Sequence, residues 1–195
     1  VIWTWSDLYK EVSGIAHDRP KRVIDPPDHD LIISYLLNRY LGEEKDRRTD
    51  MPEGVFHSGF SEVLGNNIKE LLREDITPVD LRLFNEEGPP ETSPGYILLR
   101  LYSDYLEYLD QNRIADSAQT PALIRECLCS EVSAGALSGL TFILVGFLTF
   151  TGGQLKLVKK LQEIAETEYL LPETGLDSLH DSILQVGLEF KDRAH

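Results

Sequence analysis

The sequence predicts a mainly α fold with a few short strands, in which a helical subdomain is inserted into part of an α/β sheet domain. Three observations lead there. Between positions 17 and 139 the apolar residues recur mostly at three- and four-residue steps, the spacing of one helix face. Strand-type runs concentrate at the two ends, VIWT at 1–4 and TFILVGF at 141–147. A chain whose middle is helical and whose ends are strands reads as a helical insertion into a sheet domain. The extents that follow are 1–16 and 140–195 for the sheet domain and 17–139 for the insertion.

After the short strand VIWT, Ser6 or Thr4 caps a helix through about position 15, with Trp5, Leu8, Tyr9 and Val12 at helical spacing. Asp25 and Pro26-Pro27 form a helix entry, and 31–41 is almost continuously apolar, as in a helix buried on most sides. The charged stretch 42–50 reads as a loop. Phe56, Phe60, Val63, Leu64, Ile68, Leu71 and Leu72 then give a strong helical repeat despite Gly59 and Gly65. Thr77-Pro78 opens a short helix, and NEEGPPETSPG at 85–95 is the clearest flexible connection.

Ser93-Pro94 caps the longest helix, 97–112, whose tyrosines read as core residues with wet hydroxyls rather than a stacking platform for bases. Thr120-Pro121 caps another helix, ALIRECL, and the small residues at 133–139 lead into the strand 141–147. A helix at 154–167, a short strand EYLL and a last helix around 178–187 complete the chain.

Length and composition narrow the function classes. The 195 residues suffice for one substantial core, or for one domain and part of another. Position 1 is Val and the only Met is Met51, so the chain reads as an excised fragment or processed product. No apolar run reaches 18 residues, and Asp7 falls where a signal peptide would be apolar, so neither a membrane span nor a secretory signal is expected. Cys127 and Cys129 form a C-x-C pair without a second pair or paired histidines. They read as reduced thiols, which fits the cytoplasm. Thirty-three acids against nineteen bases give a net charge of −14, which argues against autonomous DNA binding. The small basic clusters at 19–22, 45–48 and 156–160 read as solvated faces.

The chemistry-bearing motifs are mostly missing. The sequence holds no G-x-x-x-x-G-K-[ST], G-x-S-x-G, H-E-x-x-H or C-x-x-C, and its five histidines lack metal-ligand spacing. His29 between Asp28 and Asp30 reads as part of a helix start, where acids favour the positive end of the dipole. ILVGFLTFTGGQLKLVKKLQE, at 143–163, has the strand–turn–helix order of a nucleotide-hydrolase corner. In such hydrolases the strand ends in an acid that holds Mg²⁺. Here Gly146 and Phe147 follow the strand, and no carboxylate appears before Glu163. Thr151 and Gln154 read as a capping box. Gly152 and Gly153 could turn two backbone N–H groups toward a phosphate. The expectation for this chain is therefore no catalytic residue, no metal and no cofactor.

FILVGFLTFTGGQLKLVKKL resembles a segment of AddB/RexB-type helicase–nuclease subunits, in which a hydrophobic strand is followed by D-G-F-x-x-F-T-P-x-Q-x-x-L-L. Gly146, Phe147, Phe150, Thr151, Gln154 and Leu155 fit that pattern; the Asp is absent and Gly153 replaces the Pro. LYSDYLEYLDQNRIADSAQTPALI resembles the helix-and-turn element before that strand, and VIWTWSDLYKEV a segment of superfamily 1 helicases. The matches cover roughly 1–15 and 96–165. The resemblance implies an inactivated helicase-like region in a parent that acts on DNA ends in recombination and repair. That parent would carry a PD-(D/E)XK nuclease domain and use Mg²⁺ and ATP. The implied partners are DNA, through the parent, and a helicase–nuclease partner subunit, with no membrane. It also implies that Thr4, in the turn after the first strand, contacts a DNA phosphate. Two other readings stand beside it: an acidic helical protein-interaction module with no nucleic-acid role, and an enzyme with carboxylate chemistry, for which there are abundant acids but no organised pair.

Overall fold

A computed structural model describes residues 2–16, 20–45, 58–83, 93–147 and 149–170. The helix expected around 178–187 and most of the connection at 85–95 lie outside them. The described chain is mainly helical, with four short strands in two small parallel sheets. It divides into two compact units, one formed by Lys21–Thr120 and the other by Val1–Pro20 together with the residues from Pro121 onward.

In the Lys21–Thr120 unit, helices α2 (Pro26–Lys45), α3 (Ser58–Arg73) and α5 (Pro94–Gln111) pack on one another, and the short α4 (Pro78–Leu83) lies against α5. The periodicity of α3 and α5 places Leu64, Ile68 and Leu72, and Ile97, Leu101, Tyr105 and Leu109, on single faces, and all seven are buried. Each large apolar side chain so buried contributes about 1.5–3 kcal/mol. Ser93 caps α5 by accepting the Tyr96 N–H, with Pro94 in the first turn. Two three-residue strands, β1 (Arg22–Ile24) and β2 (Ile114–Asp116), pair in parallel with Arg22 opposite Ile114.

Several expectations differ from what forms. The backbone of α2 stays helical to Lys45, past the loop expected from position 42, and neither β1 nor β2 was anticipated. The α5 tyrosines are core residues, but two of their hydroxyls are bonded internally rather than wet. Tyr102 donates to the Ile76 carbonyl at 2.7 Å and Tyr105 to Asp116 at 2.7 Å. Burial, reinforced by Asp75 and Asp80, pushes the Tyr102 hydroxyl pKa well above its ordinary value.

In the other unit, α1 (Trp5–Ile15) buries Leu8, Tyr9 and Val12. Helix α6 (Thr120–Cys127) leads by a turn into α7 (Glu131–Leu137), a helix where only a run of small residues was expected. Then β3 (Thr141–Val145), α8 (Gly152–Ile164) and β4 (Glu166–Leu170) form a parallel strand pair with a helical crossover. Residues 2–4 take no strand pairing, contrary to the expected N-terminal strand. Neither Cys127 nor Cys129 is joined in a disulfide.

Candidate functional site

The turn from β3 into α8 is built by the residues that carry the family resemblance. Gly146 has φ +79°, in the left-handed region that glycine enters without a Cβ penalty, and this reverses the chain at the strand end. Phe147 then packs between Trp5, at a ring separation of 5.4 Å, and Phe150, stacked at 5.1 Å. Phe150 meets Tyr169 of β4 edge-on at 6.3 Å. These rings cover Leu144 and Val158, the buried centre of the cluster. Burial also pushes the Tyr169 hydroxyl pKa up to about 12.

Helix α8 begins with a complete capping box. The Thr151 hydroxyl accepts the Gln154 N–H at 3.3 Å, and the Gln154 side-chain oxygen accepts the Thr151 N–H at 3.0 Å. Gly153 is buried. Two donors that an anion would seek at this helix start are therefore bonded within the chain. In the sheet, Val145 and Leu170 face each other at the carboxyl end, while Glu166 stands opposite Thr141 at the other end and Glu168 opposite Ile143 at the middle. No group of three or more His, Cys, Asp or Glu residues among the described ones could hold a metal ion.

Thr4 is the N-cap of α1. Its hydroxyl accepts the Asp7 N–H at 3.2 Å and donates to the Asp7 carboxylate at 2.6 Å, which also takes the Thr4 N–H at 3.0 Å. These bonds, led by the hydroxyl, hold the Asp7 carboxyl below its ordinary pKa. An anion at Thr4 would have to displace that carboxylate. Alongside lies a cleft of about 260 Å³, lined on one side by Trp3, Thr4, Trp5 and Leu8 and on the other by 140–144. The Trp3 and Phe142 rings are 6.5 Å apart across it.

The Lys21–Thr120 unit holds a buried polar cluster that sequence reasoning passed over. His29 lies 1% exposed, with Nδ1 2.6 Å from the Asp116 carboxylate and Nε2 3.2 Å from the Gly65 carbonyl. Asp116 also accepts the Tyr105 hydroxyl and, through its other oxygen, the Ala118 N–H at 2.8 Å. Burial alone would raise the Asp116 pKa; the hydrogen bonds from His29, Ala118 and Tyr105 outweigh it and hold the carboxyl below its ordinary value. The group ties α2, α3, α5 and β2 together. His29 thus serves as a core fastener, and its neighbour Asp28 meets Arg22 at 3.8 Å rather than joining a cluster with it. The only local signal was a histidine at the buried position of an amphipathic helix.

No protein-family model matches the chain, and no curated protein matches it. Among the described residues, no helix is long and apolar enough to cross a membrane.

Proposed function

We propose that the chain is a non-catalytic, helicase-like segment of an ATP-dependent helicase–nuclease subunit that acts on DNA ends in double-strand break repair and recombination. In this reading it serves as a scaffold or DNA-contacting element, and turnover belongs to the parent, an ATP-dependent exonuclease subunit. The observation that carries the reading is the β3–α8 corner. A strand, a glycine turn and a capped helix follow one another there, an order that nucleotide hydrolases also use. Gly146 and Phe147 stand where the metal-binding acids would be, and Phe147 is committed to packing. The parent's Mg²⁺ and ATP, and its partner subunit, belong to the same proposal.

The test is direct. The chain should neither hydrolyse ATP nor show saturable ATP binding. Fluorescence anisotropy with a labelled single strand at low salt should give weak binding that falls steeply as salt rises. If Thr4 contacts phosphate, Asp7→Asn strengthens that binding by removing the competing carboxylate, and Thr4→Ala weakens it. Turnover of ATP by the chain alone would sink the proposal.

A second reading, an acidic helical interaction module with no nucleic-acid role, is favoured by the net charge of −14 and by the engagement of Thr4 with Asp7. A flat DNA titration, with and without a partner subunit, would select it.

A further inference from the structure

Among the described residues, strand β3 is bonded on one edge only. Its pairing is with β4, and no hydrogen bond from any described residue reaches its other edge. Side chains of consecutive strand residues point to opposite faces of a sheet. All five positions from Leu140 to Leu144 nevertheless line the same cleft. A cleft touched by both faces of a strand runs along its hydrogen-bonding edge. The opposite wall, Trp3 to Trp5 with Leu8, is largely apolar, and Ile143 is 52% exposed on the open side.

From this geometry we infer that the cleft is a docking slot for an extended segment of another polypeptide, which adds to β3 as a third strand. Parallel sheets are almost always covered on both faces, and a two-stranded sheet is marginal alone. An added strand would supply the missing backbone partners and lay alternate side chains against Trp3 and Phe142 on one side and Ile143 on the other. The charge nearby sets the chemistry of that segment. Asp7 closes the capping box that begins at Thr4 of the slot's wall, Glu166 and Glu168 lie on the strand beyond β3, and the chain is strongly acidic. The fitting segment is therefore apolar at alternate positions and carries Lys or Arg rather than Asp or Glu. This inference is independent of any DNA contact and of the identity of the parent.

The experiment uses the full 195-residue chain and a fluorescein-labelled peptide of alternating valine and threonine with a lysine at each end. Its control is the same peptide with alternate amides N-methylated along one edge, which keeps the side chains and removes the strand's donors. The expected result is saturable binding, weakened at least about tenfold by N-methylation, with amide exchange slowed at 141–145. Trp3→Ala, at an exposed position outside any helix, should weaken binding several-fold while leaving the circular dichroism unchanged. Four results overturn the inference: absence of binding, equal affinity for the methylated peptide, protection of 141–145 that grows with protein concentration alone, and protection there by an oligonucleotide instead of the peptide.

Discussion

Replacing Asp116 with alanine removes the acceptor for three donors at once: His29 Nδ1 at 2.6 Å, the Tyr105 hydroxyl at 2.7 Å and the Ala118 N–H at 2.8 Å. His29 and Asp116 are 1% and 4% exposed at the side chain, so water does not replace what is lost. Breaking a buried pair from one side costs about 3–5 kcal/mol. Against a total of about 5–15 kcal/mol for a domain, that is a large fraction of the stability. At about 4–8 °C per kcal/mol for a unit of this size, the melting temperature should fall by well over 10 °C. Tyr105→Phe removes one of the three donors and leaves the carboxylate with two, for a cost of about 1–2 kcal/mol. In the Asp116→Ala background the same change should cost less, because the bond to Asp116 is already gone and only the 2.8 Å contact with His29 Nδ1 remains. Urea unfolding followed by far-ultraviolet circular dichroism, combined as a double-mutant cycle, measures this coupling. Amide exchange in α2, α3 and α5 localises the effect. A cost below about 1 kcal/mol for Asp116→Ala, or an unchanged cost for Tyr105→Phe in that background, would refute the claim that this cluster fastens the unit.

Because the folded Asp116 pKa is depressed, its stabilising contribution is complete above the ordinary carboxylate value of about 3.9 and is lost as pH falls through the native value; Asp116→Asn should flatten the acid limb of an unfolding curve measured from about pH 5 downward. Gly146→Ala meets no neighbour within 4 Å but must hold φ +79°, and should cost about 1–2 kcal/mol, whereas Gly14→Ala in α1, also in open space, should stabilise by up to about 1 kcal/mol in thermal melts. Thr151→Ala should cost about 1 kcal/mol through the lost cap of α8, seen as faster amide exchange in that helix's first turn. In a spectrophotometric titration of the folded protein, Tyr102, Tyr105 and Tyr169 should still hold their protons at about pH 11, and Tyr105→Phe should remove one late-titrating group.

What the sequence made legible is what depends on neighbours three or four residues away. The apolar repeats of α3 and α5, and the Thr151–Gln154 box that starts α8, are local, and local spacing announces them. The three-residue strands β1 and β2 gain their structure only from each other across most of a hundred residues, so neither segment carries a signal by itself. The partner of His29 lies 87 residues away, and a histidine flanked by two aspartates hides that fact behind an obvious local explanation. Helix α7 was obscured by Ser133, Ala134, Gly135 and Ala136, residues with little side chain to show a periodicity. At the candidate site, the missing acids were plain from Gly146 and Phe147. The slot beside β3 was not, because it exists only where residues 3–8 come to lie along a strand far later in the chain.

The division of the chain has a consequence for its birth on the ribosome. The unit Lys21–Thr120 is one continuous stretch, and β1 closes on β2 within it, so it can close as soon as Thr120 has emerged. The other unit needs α1, made first, to wait for β3 and α8. During that interval Trp3, Trp5, Leu8 and Val12 have no partners of their own unit to bury them. They form an apolar stretch held in suspense while the interior segment folds. A synthesis arrested once Thr120 has emerged should therefore leave a finished Lys21–Thr120 unit and, just ahead of it, an adhesive apolar stretch where a chaperone would find its grip.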